Sequence, residues 1–108
     1  MRQSAKSRSS KDWETLLESG RVRLEPDASI LATIQGENAI LLNYERGEYY
    51  GLNDTGSFIW NLVREGVPVP GIIDAVVSEF EVEQRIAAKG VLSVLSDLCT
   101  RGVLKVSE

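Results

Sequence analysis

The stretch GEYYGLNDTGSFIWNLV runs from Gly47 to Val63 and changes its period midway. Glu48 to Leu52 reads as a strand, with Tyr50 and Leu52 on one face and Tyr49 and Gly51 on the other. Asn53 or Asp54 then offers an N-cap for a helix through Arg64, with Ile59, Leu62 and Val63 as its apolar stripe. No later segment reads as a strand that would pair with this one, so it is expected at a sheet edge. Such edges are usually blunted by charge, proline or a bulge. Tyr49-Tyr50-Gly51-Leu52 has none of these. The expectation is an edge left open because something adds to it.

Upstream, SILATIQGENAILLNYERGEYYGLN reads as a β-meander. Ile30, Ala32 and Ile34 alternate with Leu31, Thr33 and Gln35, and Gly36-Glu37-Asn38 turns the chain. Ala39 to Tyr44 is the second strand, Glu45-Arg46-Gly47 the second turn and Glu48 to Leu52 the third strand. Short turns containing glycine favour antiparallel hairpins. Arg21 to Leu24 is a short extended lead-in before Pro26. Further back, Asp12 would cap a short helix carrying Trp13, Leu16 and Leu17 on one side and ended by Gly20. Trp13 either clasps onto the domain, as scattered apolar groups usually do, or belongs to a docking surface. Met1 to Lys11 reads as a disordered polar arm. Residues 1–20 are thus set apart as a basic N-terminal arm with a short helix, and residues 21–108 as the domain.

Downstream, Gly66 is placed to close the first helix and Val67-Pro68-Val69-Pro70 is a rigid linker, with Pro70 suited to a first helical turn. The second helix would bury Ile72 or Ile73, Val76, Val77 and Phe80. The third starts near Glu83, ends at Gly102 and would bury Ile86, Val91, Leu95 and Leu98; Val103-Leu104 then returns to the core. Strands followed by helices mean an α+β domain, here a three-stranded antiparallel sheet followed by three helices.

The last helix has two different flanks. With Val91 as the zero direction, Leu95 and Leu98 fall within about 40° of it at 100° per residue and define the core stripe. Leu92, Ser96 and Cys99 lie to one side and should pack on the other helices. Gly90, Ser93, Val94, Asp97 and Arg101 lie to the other, free to line a groove or simply to be solvated. Gly90 is unfavourable inside a helix, by up to about 1 kcal/mol relative to alanine. Either a close approach by a partner accounts for it, or it is a tolerated defect.

Composition narrows the chemistry. A chain of 108 residues with 43% hydrophobic residues suits one domain with one modest core. Met1 to Lys11 carries four cations and no acid, whereas the remainder has 8 Lys/Arg against 16 Asp/Glu, a net −8. An acidic body argues against binding a phosphate backbone, where clustered cations supply most of the affinity. Histidine is absent, which removes the commonest general base and metal ligand. One cysteine, Cys99, forms neither a Cys/His pair nor a zinc site, and on this geometry it is buried packing. No phosphate-binding glycine motif appears and no two acids share an apolar setting, so a non-enzyme without metal or cofactor is expected. No run of about 18 apolar residues and no secretory h-region is present. With a single thiol, these features fit a reducing cytoplasm.

These residues have a family look. LLNYERGEYYGLNDTGSFIWNLVREG, then two more helices, then LSDLCTRGVL, resembles the PqqD-like family of precursor-peptide recognition elements for ribosomally made, modified peptides (RiPPs). The signature is an acidic turn, a glycine and aromatics, then Leu52-Asn53, Gly56, Ile59-Trp60, a Leu-x-x-Leu run and Gly102-Val103-Leu104; it covers about Val22 to Val106. The resemblance implies a winged-helix-like domain that binds the leader segment of a precursor peptide as an extra strand beside the third strand, against the third helix. It also implies kinship with the stand-alone, small half of the split B protein of lasso-peptide clusters. That half holds the leader for a separate cysteine-protease leader peptidase, after which a cyclase closes the ring. Leaders of this type often carry a Tyr-x-x-Pro motif, whose rings need an apolar pocket.

Strand addition would use main-chain groups of Glu48, Tyr49, Tyr50, Gly51 and Leu52 for affinity and side-chain pockets for selectivity. Tyr50, Leu52 and Val94 would give apolar contact, Gly90 close approach, Asp97 and Arg101 charge register, and Lys89 the rim. Two rivals stand beside this reading. One is a PqqD-like peptide chaperone for a radical-SAM or cyclodehydratase enzyme. The other is a winged-helix DNA-binding module, to which the acidic body and the lack of a basic face on the third helix are ill suited.

Overall fold

The computed structural model describes residues 10–36 and 38–107. Among these, nine elements follow in order: α1 (Ser10–Glu18), β1 (Arg23–Pro26), β2 (Ile30–Gln35), β3 (Asn38–Asn43), β4 (Glu48–Leu52), α2 (Asp54–Arg64), α3 (Val69–Phe80), α4 (Gln84–Thr100) and β5 (Leu104–Ser107). The expected meander is β2-β3-β4, antiparallel, with β3 central and the other two strands at its edges. The expected three helices are α2, α3 and α4.

Local chemistry explains most boundaries. Asn43 is buried, and its Oδ1 accepts from the N–H groups of Glu45 and Arg46, each at 3.1 Å, which fixes the β3–β4 turn. Gly47 ends that turn at φ 70°, a left-handed conformation that an L side chain resists. The Asn53 side chain accepts from the Gly56 N–H at 2.8 Å and caps α2. Gly66 follows the α2 C-cap at φ 84°, as its position predicts. Pro70 lies in the first turn of α3, where its missing N–H is not needed.

Three features depart from the expectation. The Val103-Leu104 return is the start of a strand: β5 pairs antiparallel with β1, from Arg23↔Ser107 to Pro26↔Leu104, as a separate two-stranded sheet. Each strand has only four residues, too few for alternation to declare itself in sequence. α1 begins at Ser10, so Asp12 lies inside the helix rather than before it. Of the arm read as disordered, Met1 to Ser9 lies outside the described residues. Finally, Ile86 is 55% exposed, and Ala87 takes the buried position on that turn.

The core lies between the inner face of the meander and the helices. Leu41, Ile59, Trp60, Ile72, Val91, Leu95 and Val103 are buried in it. Phe58 and Phe80 meet edge to face, with ring centroids 5.4 Å apart, which clamps α2 to α3. α4 packs on both α1 and α3, with Leu92, Ser96 and Cys99 buried. Leu17 of α1 is fully buried in the same cluster, and Trp13 packs half-buried against it. Trp13 therefore clasps the domain.

Candidate functional site

β4 is a sheet edge, and the ladder shows which of its main-chain groups are unpaired. The Tyr44 N–H donates to the Ser29 carbonyl at 3.2 Å, one step beyond the β2–β3 register of Ile30↔Asn43. Hydrogen-bonded and non-hydrogen-bonded pairs alternate in an antiparallel ladder. Leu31↔Leu42 and Thr33↔Ile40 are therefore bonded pairs, and Ala39, Leu41 and Asn43 turn their main chain toward β4. The Asn43 carbonyl accepting from the Gly47 N–H at 2.7 Å agrees. Across β3–β4 the bonded pairs are then Asn43↔Glu48, Leu41↔Tyr50 and Ala39↔Leu52. Tyr49 and Gly51 are left with N–H and C=O directed outward from the free edge. The Tyr49 side chain is 72% exposed, whereas Tyr50 and Leu52 turn inward and pack against the core.

Beside this edge runs α4. Tyr49, Tyr50, Gly51 and Leu52 line a hollow of about 260 Å³ with Asp97, Leu98 and Arg101. A short polar chain borders it. The Tyr50 hydroxyl donates to Glu48 Oε1 at 2.6 Å, and this bond, with some burial, holds the Tyr50 pKa above its usual value. The Arg101 guanidinium lies 5.6 Å from the Tyr50 ring centroid, within cation–π range. Arg101 Nε in turn donates to Asp97 Oδ2 at 3.0 Å. Arg46 Nη1 is 3.7 Å from Glu48 Oε1. These are exposed groups whose pairing is weak in stability terms.

A second hollow, about 440 Å³ and largely apolar, lies further along α4 toward its N-terminus. Ile59, Val76, Phe80, Val82, Ile86, Ala87, Gly90, Val91 and Val94 line it, with Asn53, Thr55 and Gly56 at the α2 cap. Ile86, Gly90, Val94, Asp97 and Arg101 are spaced four, four, three and four apart, so they form one stripe on α4. The two hollows therefore follow one helix face, apolar at the Ile86 end and charged at the Arg101 end. A Cβ built on Gly90 meets nothing within 4 Å and would enter only the open hollow. A Cβ on Gly56 would approach Asn53 Oδ1 at 3.3 Å and Leu52 Cβ at 3.4 Å, which explains a glycine inside the first turn of α2.

The residues expected to act together are thus divided. Tyr49, Tyr50, Gly51, Leu52, Asp97 and Arg101 share the hollow at the strand, while Gly90 and Val94 line the apolar one. Glu48 is joined to Tyr50 from the strand's start, and Lys89 is exposed and lines neither hollow. Asn53, Thr55, Phe80 and Val82 are lining residues that sequence reasoning misses. The one signal for them is Val82, an apolar residue in the short connection between α3 and α4. Burial pushes the Cys99 thiol up to about 12, which keeps it protonated and inert. Among the described residues no group of three or more His, Cys, Asp or Glu is placed to hold a metal, and no helix is long and apolar enough to cross a membrane.

The family profile of coenzyme PQQ synthesis protein D (PqqD) matches residues 38–104, from β3 to the first residue of β5. The chain is similar in structure to TbiB1 in complex with the TbiA(beta) leader peptide, with TM-score 0.72 and 26% identity over 75% of this chain and 94% of that one. It is also similar in fold to a lasso peptide synthetase B1 complexed with the leader peptide, with TM-score 0.72 and 24% identity over 77% of this chain and 98% of that one. Comparison with curated proteins gives no match.

Proposed function

The chain belongs to the PqqD family, and on that premise we propose that it is a non-catalytic recognition protein for the leader segment of a ribosomally synthesised precursor peptide. The observation that carries this reading is the outward main chain of Tyr49 and Gly51 beside the α4 stripe. A leader lying antiparallel or parallel to β4 would exchange hydrogen bonds with these two residues, which supplies affinity with little sequence preference. Its alternate side chains would enter the space between β4 and α4. The likeness to TbiB1, which holds a leader peptide, supports the same use of the fold.

Selectivity would come from the two ends of the stripe. Val94, Ile86 and Phe80 suit an aromatic or proline ring, and Asp97 and Arg101 suit a charged or polar leader residue. A disordered leader loses entropy on ordering, so the net affinity is expected between roughly micromolar and tens of nanomolar, about −8 to −10 kcal/mol. The bound precursor would then be presented in the cytoplasm to a separate leader peptidase of a lasso-peptide pathway. The resemblance to the small half of split B proteins, together with the likeness to TbiB1, favours that pathway over another class of maturation enzyme.

The test is a titration with a labelled synthetic leader from a short precursor gene beside this one, read by anisotropy. Peptide anisotropy is the suitable signal because Trp60 is buried and lines neither hollow. Saturable, sequence-dependent and weakly salt-dependent binding is expected. Absence of leader binding together with steeply salt-dependent binding to duplex DNA would overturn the reading in favour of a DNA-binding module.

A further inference from the structure

Among the described residues the meander has a second free edge, and nothing in leader recognition uses it. β2 is bonded to β3 through Leu31 and Thr33, so the main chain of Ala32 and Ile34 points away from the sheet. Ile30 agrees with this phase, since its N–H is taken by the Asp27 carbonyl at 3.1 Å, in the turn before the strand. β2 reads ILATIQ, with no charge and no proline, and its six-residue register with β3 is unbroken by any bulge. The devices that normally blunt an edge are therefore missing. Leu31 is 55% and Ile34 51% exposed. Leu31, Leu42 and Tyr49 are opposed in register, so one row of apolar side chains crosses the outer face of all three strands.

The far end of this edge is acidic. A hollow of about 260 Å³ opens where β2 ends, lined by Ile34, Gly36 and Asn38 from the sheet and by Asp54, Ser57, Phe58, Asn61, Glu79 and Phe80 from α2 and α3. Two carboxylates and no cation are among these lining residues. A strand laid along β2 would reach Ile34, which lines this hollow.

We propose that the β2 edge is a second strand-addition site, whose occupant is an extended, β-branched segment of a separate protein carrying a lysine or arginine over the Asp54/Glu79 hollow. Charge selects this occupant. A second copy of the chain would bring its own uncharged ILATIQ to the edge and leave the carboxylates unanswered. It would also bring up a body of net charge −8 against its like. A basic segment meets both requirements. With β4 and β2 at opposite edges, the leader and this partner would occupy one sheet together without competing.

The experiment uses a labelled peptide, Thr-Lys-Val-Thr-Val-Lys-Val-Thr, and a twin with glutamate at both lysine positions. It also uses the full chain and two variants. Ala32→Pro removes an N–H that faces away from β3, so the native ladder is retained. Glu79→Gln removes one charge from the hollow. The first variant thus tests the main chain and the second tests charge, each separately from the other. Saturable binding of the lysine peptide, at least tenfold tighter than its twin, is expected. Ala32→Pro should weaken it at least tenfold with an unchanged circular dichroism spectrum, and Glu79→Gln should narrow the preference over the twin. Equal binding of the twins, no binding of the lysine peptide, or binding indifferent to a folded Ala32→Pro would each overturn the proposal. So would two results that put the chain itself on this edge. One is a concentration-dependent dimer abolished by Ala32→Pro. The other is a site opened to the peptide only by removal of residues 1–9.

Discussion

On the proposed function, Gly90 is the residue at which stability and binding are set against each other. Glycine in a helix interior is worse than alanine by about 0.8–1 kcal/mol. Its missing Cβ would touch nothing in the folded protein, so no internal packing requires it. The hollow beside it is what the missing methyl keeps open. Gly90→Ala is therefore expected to raise stability by about 0.5–1 kcal/mol in chemical denaturation while weakening leader binding several-fold. A stabilised variant that binds as well as the parent would remove Gly90 from the proposed contact set. Cys99 is a different kind of residue. Its thiol, pushed up to about 12 by burial, stays protonated at a pH of about 8, below even the ordinary thiol range. Thiol reagents at that pH are expected to modify the unfolded chain promptly and the native chain only through unfolding. Because the folded pKa lies above the unfolded one, the buried thiol favours the folded state less and less as pH rises beyond about 8.5. Thermal midpoints measured from about pH 8 to about pH 10.5 should fall less in Cys99→Ala than in the parent.

At the scale of elements, β4 offers a contrast between neighbours. Tyr49 turns its N–H outward and Tyr50 turns its N–H into the ladder with Leu41. Proline removes that N–H in either place. Tyr49→Pro should leave a folded domain whose leader binding is at least tenfold weaker, consistent with the loss of one or two hydrogen bonds at about 1 kcal/mol each and of the local fit. Tyr50→Pro should break the sheet itself, seen as a loss of cooperative unfolding. If the two variants behaved alike, the ladder phase derived from Ser29 and Tyr44 would be wrong. The strand, its turn and the cap of α2 are legible in the sequence because each rests on local chemistry: period two, a glycine in a left-handed turn, an asparagine before a helix. β5 is not, since a four-residue strand is defined by its partner. Ile86 is misplaced for the opposite reason, because the local period already argues against burying it. At 100° per residue it lies about 140° from Val91, on the Gly90 and Val94 side, whereas Ala87 lies about 40° from Val91 and is the residue buried.

Across the whole molecule, the family-matched residues 38–104 do not make the core alone. Leu17 from α1 is fully buried in the same cluster as Val91, Leu95 and Cys99. Leu17→Ala is expected to cost about 2–4 kcal/mol in denaturant titration, as for other buried leucines. A cost below about 1 kcal/mol would mean that α1 is only loosely attached. α1 packs on α4, and none of its residues lines either hollow beside α4, so leader affinity should be unchanged in the folded variant.

Period, caps, turns and composition settle the α+β order, the meander, the three long helices, the unprotected strand and the want of histidine chemistry. All of these act within a few residues, which is why they can be read before any folding. The outward phase of the β4 main chain cannot be read that way, since it is inherited through β3 from β2. Nor can the sharing of one apolar hollow by Gly90 and Val94 with Phe80 and Val82, while Asp97 and Arg101 share another with Tyr50. The acidic end of the open β2 edge belongs with these, because its carboxylates come from α2 and α3, two helices further along the chain. Pairing phase and shared cavities are long-range properties, fixed by how whole elements pack and invisible to any local pattern.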